Sequence, residues 1–300
     1  MKARRERATA VLRECGFTGL AVVEIRAPRG GMVSRVEEWI TDGSPAAAIC
    51  KWSDEPEGLR HEWLALRWMR ENTEFPVPQV YGHLTGAVTG GGACLVTERL
   101  KGRHLGEARL TEAGVQSVHR QLAEHVARLH AHHGKTYGFV TGGEQVRTWL
   151  EWFGPRMQSN YEDAQSFLSP GARCVTERLL VELPEWLPES GPPTLVHGDL
   201  WETNIIVDDG DPDRPMVTGY IDGGGLFADV EYELAYLQAF GMVDEGFLRL
   251  YSQWGEVRDG FARRCRVYWL NTMLLHLWLF GEEYLPRCEE LAREIGEMVG

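Results

Sequence analysis

Between two apolar flanks, the stretch VHGDLWETNIIV (Val196–Val207) carries an acid, Asp199, and an amide, Asn204, five positions apart. A second acid, Asp222, follows after a strand, a DG turn and another strand in IIVDDGDPDRPMVTGYID. Phosphoryl transfer from a nucleotide needs a carboxylate to orient or deprotonate the acceptor hydroxyl, oxygen ligands for magnesium, and a cation on the phosphates. D-x-x-x-x-N is the spacing with which a kinase places the first carboxylate and an amide ligand on one loop. A hairpin then returns a second Asp to the same ions from the other side. Asp and Asn at strand ends also cap turns, but all three groups in this order point to phosphoryl transfer. Asp199 is the candidate acceptor-activating base, and Asn204 and Asp222 are candidate ligands for Mg²⁺, which favours hard oxygen donors. His197 reads as a residue that fixes the loop rather than a proton carrier.

The other parts of such a site lie upstream. Lys51 ends the strand AAAICKW, where a kinase holds its phosphate-binding lysine. Glu62, on the following helix, is placed to orient it through an ion pair. Alone, each would read as a surface lysine and a solvated helix acid. PRGGMVS offers Gly30, Gly31 and Ser34, whose backbone N–H groups suit phosphate oxygens, although the run is not a GxGxxG. The run TERL (Thr97, Glu98, Arg99 and Leu100) sits where two lobes would join, so its backbone is positioned to bond an adenine edge.

These groups need a scaffold, and the pattern supplies one. LAVVEIRAP, VEEWI and AAAICKW alternate in strand fashion, separated by RGG and TDGSP. GLRHEWLALRWMREN spaces its apolar residues as a helix does. FPVPQVYGHL and ACLVTERLKG add a strand pair. From about Arg99 helices dominate, beginning with GVQSVHRQLAEHVARLHAHH. The expectation is an α+β, two-lobed, protein-kinase-like fold. Its antiparallel β-rich N-lobe would cover residues 1–100, and a larger, mainly helical C-lobe residues 101–300.

Composition narrows the function classes. A formal charge of −13 argues against a phosphate-backbone partner, which needs a basic face, and is compatible with a neutral or cationic small molecule. The basic start MKARRERATAVLREC lacks an apolar h-region, so no secretory signal is expected. The apolar run CRVYWLNTMLLHLWLFG contains Arg266, Asn271 and His276 and reads as a buried helix rather than a membrane span. Six cysteines without a CxxC pair read as reduced thiols of a cytoplasmic protein. His130, His132 and His133 end a helix, where imidazolium suits the dipole, and are not expected to bind metal. DDGDPD lacks the glutamate that closes a calcium loop and reads as a turn. The tryptophans mostly build lobe interiors.

HGDLWETN, IDGG and the closing run resemble the aminoglycoside-phosphotransferase superfamily, relatives of protein kinases. Within it the chain is most similar to the fructosamine kinase (ketosamine 3-kinase) family. Trp201 directly after Asp-Leu, the Glu231, Glu233, Leu234, Ala235 segment after Asp222, EHVARLHAHHGKTYGFV, and VYWLNTMLLHLWLFGEEY carry the likeness over essentially the whole chain. The resemblance implies an ATP- and Mg²⁺-dependent kinase that phosphorylates a sugar hydroxyl of a ketosamine, with Trp201 beside the acceptor. The chain departs from the family at Thr203 (usually Gly), at Gly223 (usually Pro), and at Asp229-Val230-Glu231 (usually H-R-E). These last two acids and Trp201 are therefore candidate acceptor contacts, and the departures bear on acceptor identity more than on reaction type. Two alternatives stand beside this reading: an aminoglycoside or other amino-sugar phosphotransferase, and a catalytically inactive pseudokinase acting as a binding module.

Overall fold

The computed structural model describes residues 2–27, 35–188 and 191–299. Along the chain the helices and strands are α1 (Lys2–Glu14), β1 (Val22–Arg26), β2 (Arg35–Thr41), β3 (Ala47–Ser53), α2 (Pro56–Asn72), β4 (Val80–Thr85), β5 (Ala93–Glu98), β6 (Arg103–His104) and α3 (Glu112–His130). There follow β7 (Gly138–Phe139), α4 (Trp149–Ala164), α5 (Pro170–Trp186), β8 (Thr194–Val196), β9 (Ile205–Asp208), β10 (Met216–Tyr220) and β11 (Leu226–Ala228). The chain closes with α6 (Val230–Ala239), α7 (Glu245–Tyr251), α8 (Phe261–Phe280) and α9 (Leu285–Val299). It divides into two compact units, Met1–Gln121 with Glu202–Gly225, and Leu122–Trp201 with Leu226–Gly300.

In the first unit a five-stranded antiparallel sheet runs in the order β1-β2-β3-β5-β4. Alternation sets its faces. Glu37, Trp39 and Thr41 of β2 and Ala48, Cys50 and Trp52 of β3 turn inward, so Lys51 points to the opposite face. Trp39, Cys50, Cys94 and Val96 pack with Ala8, Val11 and Leu12 of α1, and each fully buried large apolar side chain contributes roughly 1.5–3 kcal/mol. The buried Glu37 carboxylate is held by Trp39 Nε1 at 2.8 Å and Arg4 Nη2 at 2.8 Å. Burial alone would raise its proton affinity, but these bonds hold it below the ordinary value. The apolar pattern of the sequence does not announce α1. Its apolar stripe is only Ala8, Val11 and Leu12, set among basic residues that conceal the period.

Pro56 at the start of α2 supplies a preset φ and lacks an N–H that would go unused there. Leu59 and Leu66 of this helix are buried, and Glu62 lies on the same stripe, three residues after one and four before the other. A second sheet, β10-β9-β6, completes the first unit. Because β6 pairs with β9, residues 202–225, which fall inside the 101–300 lobe expected from sequence, belong to this unit. That division differs from the expected 100/101 boundary because hairpin pairing outweighs chain order.

The second unit is helical around a small sheet, β7-β11-β8. Trp149, Trp152, Phe153 and Met157 of α4 are buried, as are Val267, Tyr268, Leu270 and Leu274 of α8. Thr148 and Glu151 close a capping box at the start of α4. No helix among the described residues is long and apolar enough to cross a membrane.

Candidate active site

In the first unit, the open end of the β9–β10 hairpin brings two of the expected groups together. Tyr220 pairs with Ile205, and one step further Ile221 N–H donates to the Asn204 carbonyl at 3.0 Å. Asn204 and Asp222 therefore flank the last rung of one ladder. Asp222 has φ of 65°, the only non-glycine residue in the left-handed region among the described residues. That conformation costs an L-residue roughly 1–2 kcal/mol, less for Asp than for most, and such outliers cluster at functional sites. Tyr220 anchors the turn from below, with its N–H on Pro76 O at 2.8 Å and its ring stacked 4.3 Å from Phe75. On the other side, the His104 ring is hydrogen-bonded to the Thr203 carbonyl.

Lys51 joins this end of the hairpin to the large sheet. Its Nζ donates to Glu62 Oε1 at 2.7 Å and also to Asp222 Oδ1. The lysine and Glu62 side chains are 12% and 18% exposed and Asp222 is 38% exposed, so the cluster is closed on the helix side and open at the aspartate. One cation faces two carboxylates, leaving an acidic, oxygen-rich edge.

The TERL run is more occupied than its sequence suggests. Thr97 is buried in β5. Glu98 exchanges bonds with the Gln79 backbone at 2.8 and 3.0 Å. Arg99 binds Glu38 at 2.9 Å and the carbonyls of Leu100 and Gly102 at 2.5 and 2.8 Å. The side chains of Glu98 and Arg99 thus brace the chain. Gly30, Gly31 and Ser34 lie outside the described residues.

In the second unit, β8 delivers the loop that begins His197-Gly198-Asp199. Gly198 adopts φ of 89°, which its missing Cβ permits. The Asp199 N–H donates to His197 Nδ1 at 3.3 Å, the loop-fixing role expected of that ring. Glu233 on α6 accepts from the His197 N–H at 3.2 Å and the Gly198 N–H at 2.7 Å. Its carboxylate also meets His130 Nε2 at 2.9 Å, and His130 Nδ1 meets Tyr251 Oη at 2.8 Å. Burial pushes the Glu233 carboxyl up, but the His130 hydrogen bond, the charges of His130 and His197 and the Gly198 N–H more than offset it and hold it below its ordinary value. His130 is therefore part of a buried bracing network. Among the described residues, no group of three or more His, Cys, Asp or Glu is arranged to hold a metal ion by itself.

Beside Trp201, already a candidate from the sequence, further aromatic groups gather near Asp199. Tyr236 Oη donates to Asp199 Oδ1. Trp201 lies 6.2 Å from Phe240, and Phe240 is followed by His276 at 5.1 Å and, beyond it, Tyr284 at 5.2 Å. Burial lowers the proton affinity of His276, against the pull of the Thr272 carbonyl and the Asp199 charge. The sequence signal available was spacing: Tyr236 and Phe240 fall three and seven residues after Glu233, on one helical face.

Asp229 and Glu231, expected as acceptor contacts, have another role. Both are fully buried. Arg258 Nη2 grips both oxygens of Asp229 at 2.7 and 2.8 Å, and Arg258 Nε reaches Glu231 at 3.0 Å. Arg264 holds both Glu231 oxygens at 2.6 and 2.8 Å, and Asp229 caps α6 through the Glu231 N–H at 2.9 Å. With every carboxylate oxygen engaged, these acids build the interior of the second unit and are not available to a substrate.

Solved structures share this architecture. The aminoglycoside phosphotransferase APH(4)-Ia, as a thermostable mutant, superimposes with a TM-score of 0.71 at 18% identity over 97% of this chain and 98% of its own. A second crystal structure of a thermostable mutant of that enzyme is a ternary complex with AMP-PNP and hygromycin B, with a TM-score of 0.70 at 18% identity over 93% and 95% of the two chains. The fold is protein-kinase-like, a β-rich N-terminal part followed by a mostly helical remainder. The chain belongs to the fructosamine kinase family, whose model matches residues 18–297. Among curated proteins it is 35% identical over 99 residues to the "Probable ketoamine kinase" of Lactiplantibacillus plantarum, covering 33% of this chain and 34% of that one. It is 27% identical over 238 residues to the ketosamine-3-kinase of Mus musculus, covering 69% and 74%. The chain thus matches about a third of the length of the bacterial ketoamine kinases.

Proposed function

We propose that the protein is an ATP-dependent small-molecule kinase that transfers the γ-phosphoryl group to a sugar hydroxyl of a fructosamine or related ketosamine. The observation that carries this reading is Lys51 bonded at once to Glu62 and to Asp222, with Asp222 in a left-handed backbone beside Asn204. A kinase requires this set: a lysine for the phosphates, a glutamate to orient it, and oxygen donors for the metal. Asn204 and Asp222 carry the hard oxygens magnesium favours, and magnesium bound there neutralises charge on the phosphates. Lys51, held on one side by Glu62, directs its remaining donors to the open, aspartate side. Main-chain atoms of the Thr97–Leu100 run are the proposed partners of the adenine edge, and Gly30, Gly31 and Ser34, outside the described residues, remain the phosphate-loop candidates of the sequence.

On this reading Asp199 takes the proton of the acceptor hydroxyl as its oxygen attacks the γ-phosphorus in line, without a covalent enzyme intermediate. The D-x-x-x-x-N spacing assigns Asp199 and Asn204 to one loop. Trp201 offers an indole face to a sugar ring or a cationic amine. The names of the curated relatives support a ketosamine acceptor, whereas the acidic balance and the fold shared with APH(4)-Ia support a polycationic aminoglycoside. Family membership favours the first.

The test is ATP consumption with Mg²⁺ against fructose-lysine, a ribulosamine and several aminoglycosides. A ketosamine should drive turnover, and Asp199→Asn should lower it by roughly 10²–10⁴-fold, the usual contribution of a positioned base. Turnover with an aminoglycoside alone would transfer the reading to that acceptor class. A protein that binds no ATP would overturn it in favour of a binding module.

A further inference from the structure

Helix α6 meets the loop through one face. Glu233 and Tyr236 of the helix, and Phe240 at its C-cap, follow one another at the spacing of successive turns. Glu233 takes the N–H groups of His197 and Gly198, and Phe240 packs near Trp201. Between them the Tyr236 hydroxyl reaches Asp199 itself, 2.5 Å from Oδ1. Tyr236 is 9% exposed, so water does not compete freely for this bond. Burial, then the neighbouring Asp199 charge, pushes the phenol well above its ordinary value, so it remains a donor at any physiological pH.

We infer that Tyr236 is a positioning residue for Asp199, holding Oδ1 so that the carboxylate keeps one orientation toward the acceptor. This inference rests on the reading of Asp199 as the base. The acceptor O–H bond breaks and its proton passes to the Asp199 carboxylate. The acceptor oxygen bonds to the γ-phosphorus, and the bond from that phosphorus to the β-phosphate oxygen breaks with its electron pair leaving on ADP. The Tyr236 proton stays on the phenol throughout. A carboxylate on a short side chain otherwise rotates about its last bond, and loss of attack geometry is costly. Two roles for the phenol predict opposite signs. A purely electrostatic donor weakens the base, so its removal would raise kcat. A positioning donor fixes the base, so its removal lowers kcat.

Tyr236→Phe keeps the buried ring and deletes only the hydroxyl. With Mg-ATP and fructose-lysine, or whichever acceptor of the panel supports turnover, kcat should fall about 10–100-fold, the value of a hydrogen bond to a charged group. The KM for ATP should stay within about twofold, since a positioned base bears on the reacting bonds rather than on nucleotide binding. In the Asp199→Asn background the same change should add nothing, because the two groups act as a unit. Tyr232→Phe, which removes another phenol of α6 without a bond to Asp199, controls for general loosening, and thermal midpoints confirm folding. An unchanged or raised kcat in Tyr236→Phe, or an equal loss in the Asp199→Asn background, overturns the inference while Asp199 remains the base. Full activity in Asp199→Asn overturns the base assignment and this inference with it.

Discussion

Two ion clusters of similar composition serve opposite ends. In the first unit Lys51 faces Glu62 and Asp222, and in the second Arg258 and Arg264 face Asp229 and Glu231. The second cluster matches two guanidinium groups to two carboxylates, both buried, with every carboxylate oxygen bonded. Even so, burial keeps the Asp229 carboxyl above its ordinary value, against the pull of Arg258. The first cluster has one cation for two carboxylates, an Asp222 side chain that is 38% exposed, and a backbone outlier at that residue. Surplus charge, access and local strain set the first cluster apart from the second, whereas the residue types do not.

The comparison breaks most plainly at Asp222. Asn tolerates the left-handed backbone at least as well as Asp, so Asp222→Asn removes the charge and spares the turn. On the proposed reading, ATP turnover should fall on the order of 10²–10³-fold, as when a preorganised electrostatic contact is lost. Thermal unfolding should shift little. A large drop in the thermal midpoint without loss of turnover would place this cluster with the second.

Arg258→Met tests the opposite case. It leaves Asp229 and part of Glu231 as uncompensated buried charge, which costs about 3–5 kcal/mol when one partner of a buried pair is removed. The low end is expected, because Arg264 still holds Glu231. Urea unfolding measures the loss, and turnover per folded molecule should be retained. Adding Asp229→Asn, which keeps an N-capping oxygen, should recover part of the stability. Failure to recover would mean that the arginine acts mainly by packing.

The same contrast explains what could be read from the chain. Lys51, Glu62, Asp199, Asn204 and Asp222 could be singled out because phosphoryl transfer dictates both residue types and chain order, and because Asn204 and Asp222 are tied by a hairpin that two short strands and a DG turn announce. Asp229 and Glu231 looked like substrate acids because their partners, Arg258 and Arg264, lie far down the chain on and before α8, and no local pattern links them. Tyr236 was equally hidden, since an aromatic residue on a buried helix reads as core until a hydroxyl partner is seen. The five-stranded sheet was legible strand by strand, yet its order was not. Placing β5 beside β3 rather than at the edge is a long-range pairing that alternation does not encode.

The smallest expected effect separates two buried carboxyls within the second unit by pH. The Glu233 carboxyl is held below its ordinary value of 4.5 by His130 and the loop N–H groups, despite its burial. The folded state therefore binds fewer protons than the unfolded chain in the range just below pH 4.5. Its contribution to stability is present above the unfolded value and is lost as pH falls through the folded one. The Asp229 carboxyl is raised above its ordinary 3.8, and the sign reverses: its contribution is present below that value and is lost as pH rises through the folded one. Thermal midpoints of the parent, Glu233→Gln and Asp229→Asn at pH 7 and pH 4 resolve the two. The deficit of Glu233→Gln should shrink on acidification, because the parent loses what the variant already lacks. The deficit of Asp229→Asn should grow, because the parent regains a contribution the variant never has. Parallel behaviour of the two variants would mean that the loop-bracing carboxylate and the helix-capping one are electrostatically alike, and that the hydrogen bonds from His130, His197 and Gly198 to Glu233 do not stabilise its charge.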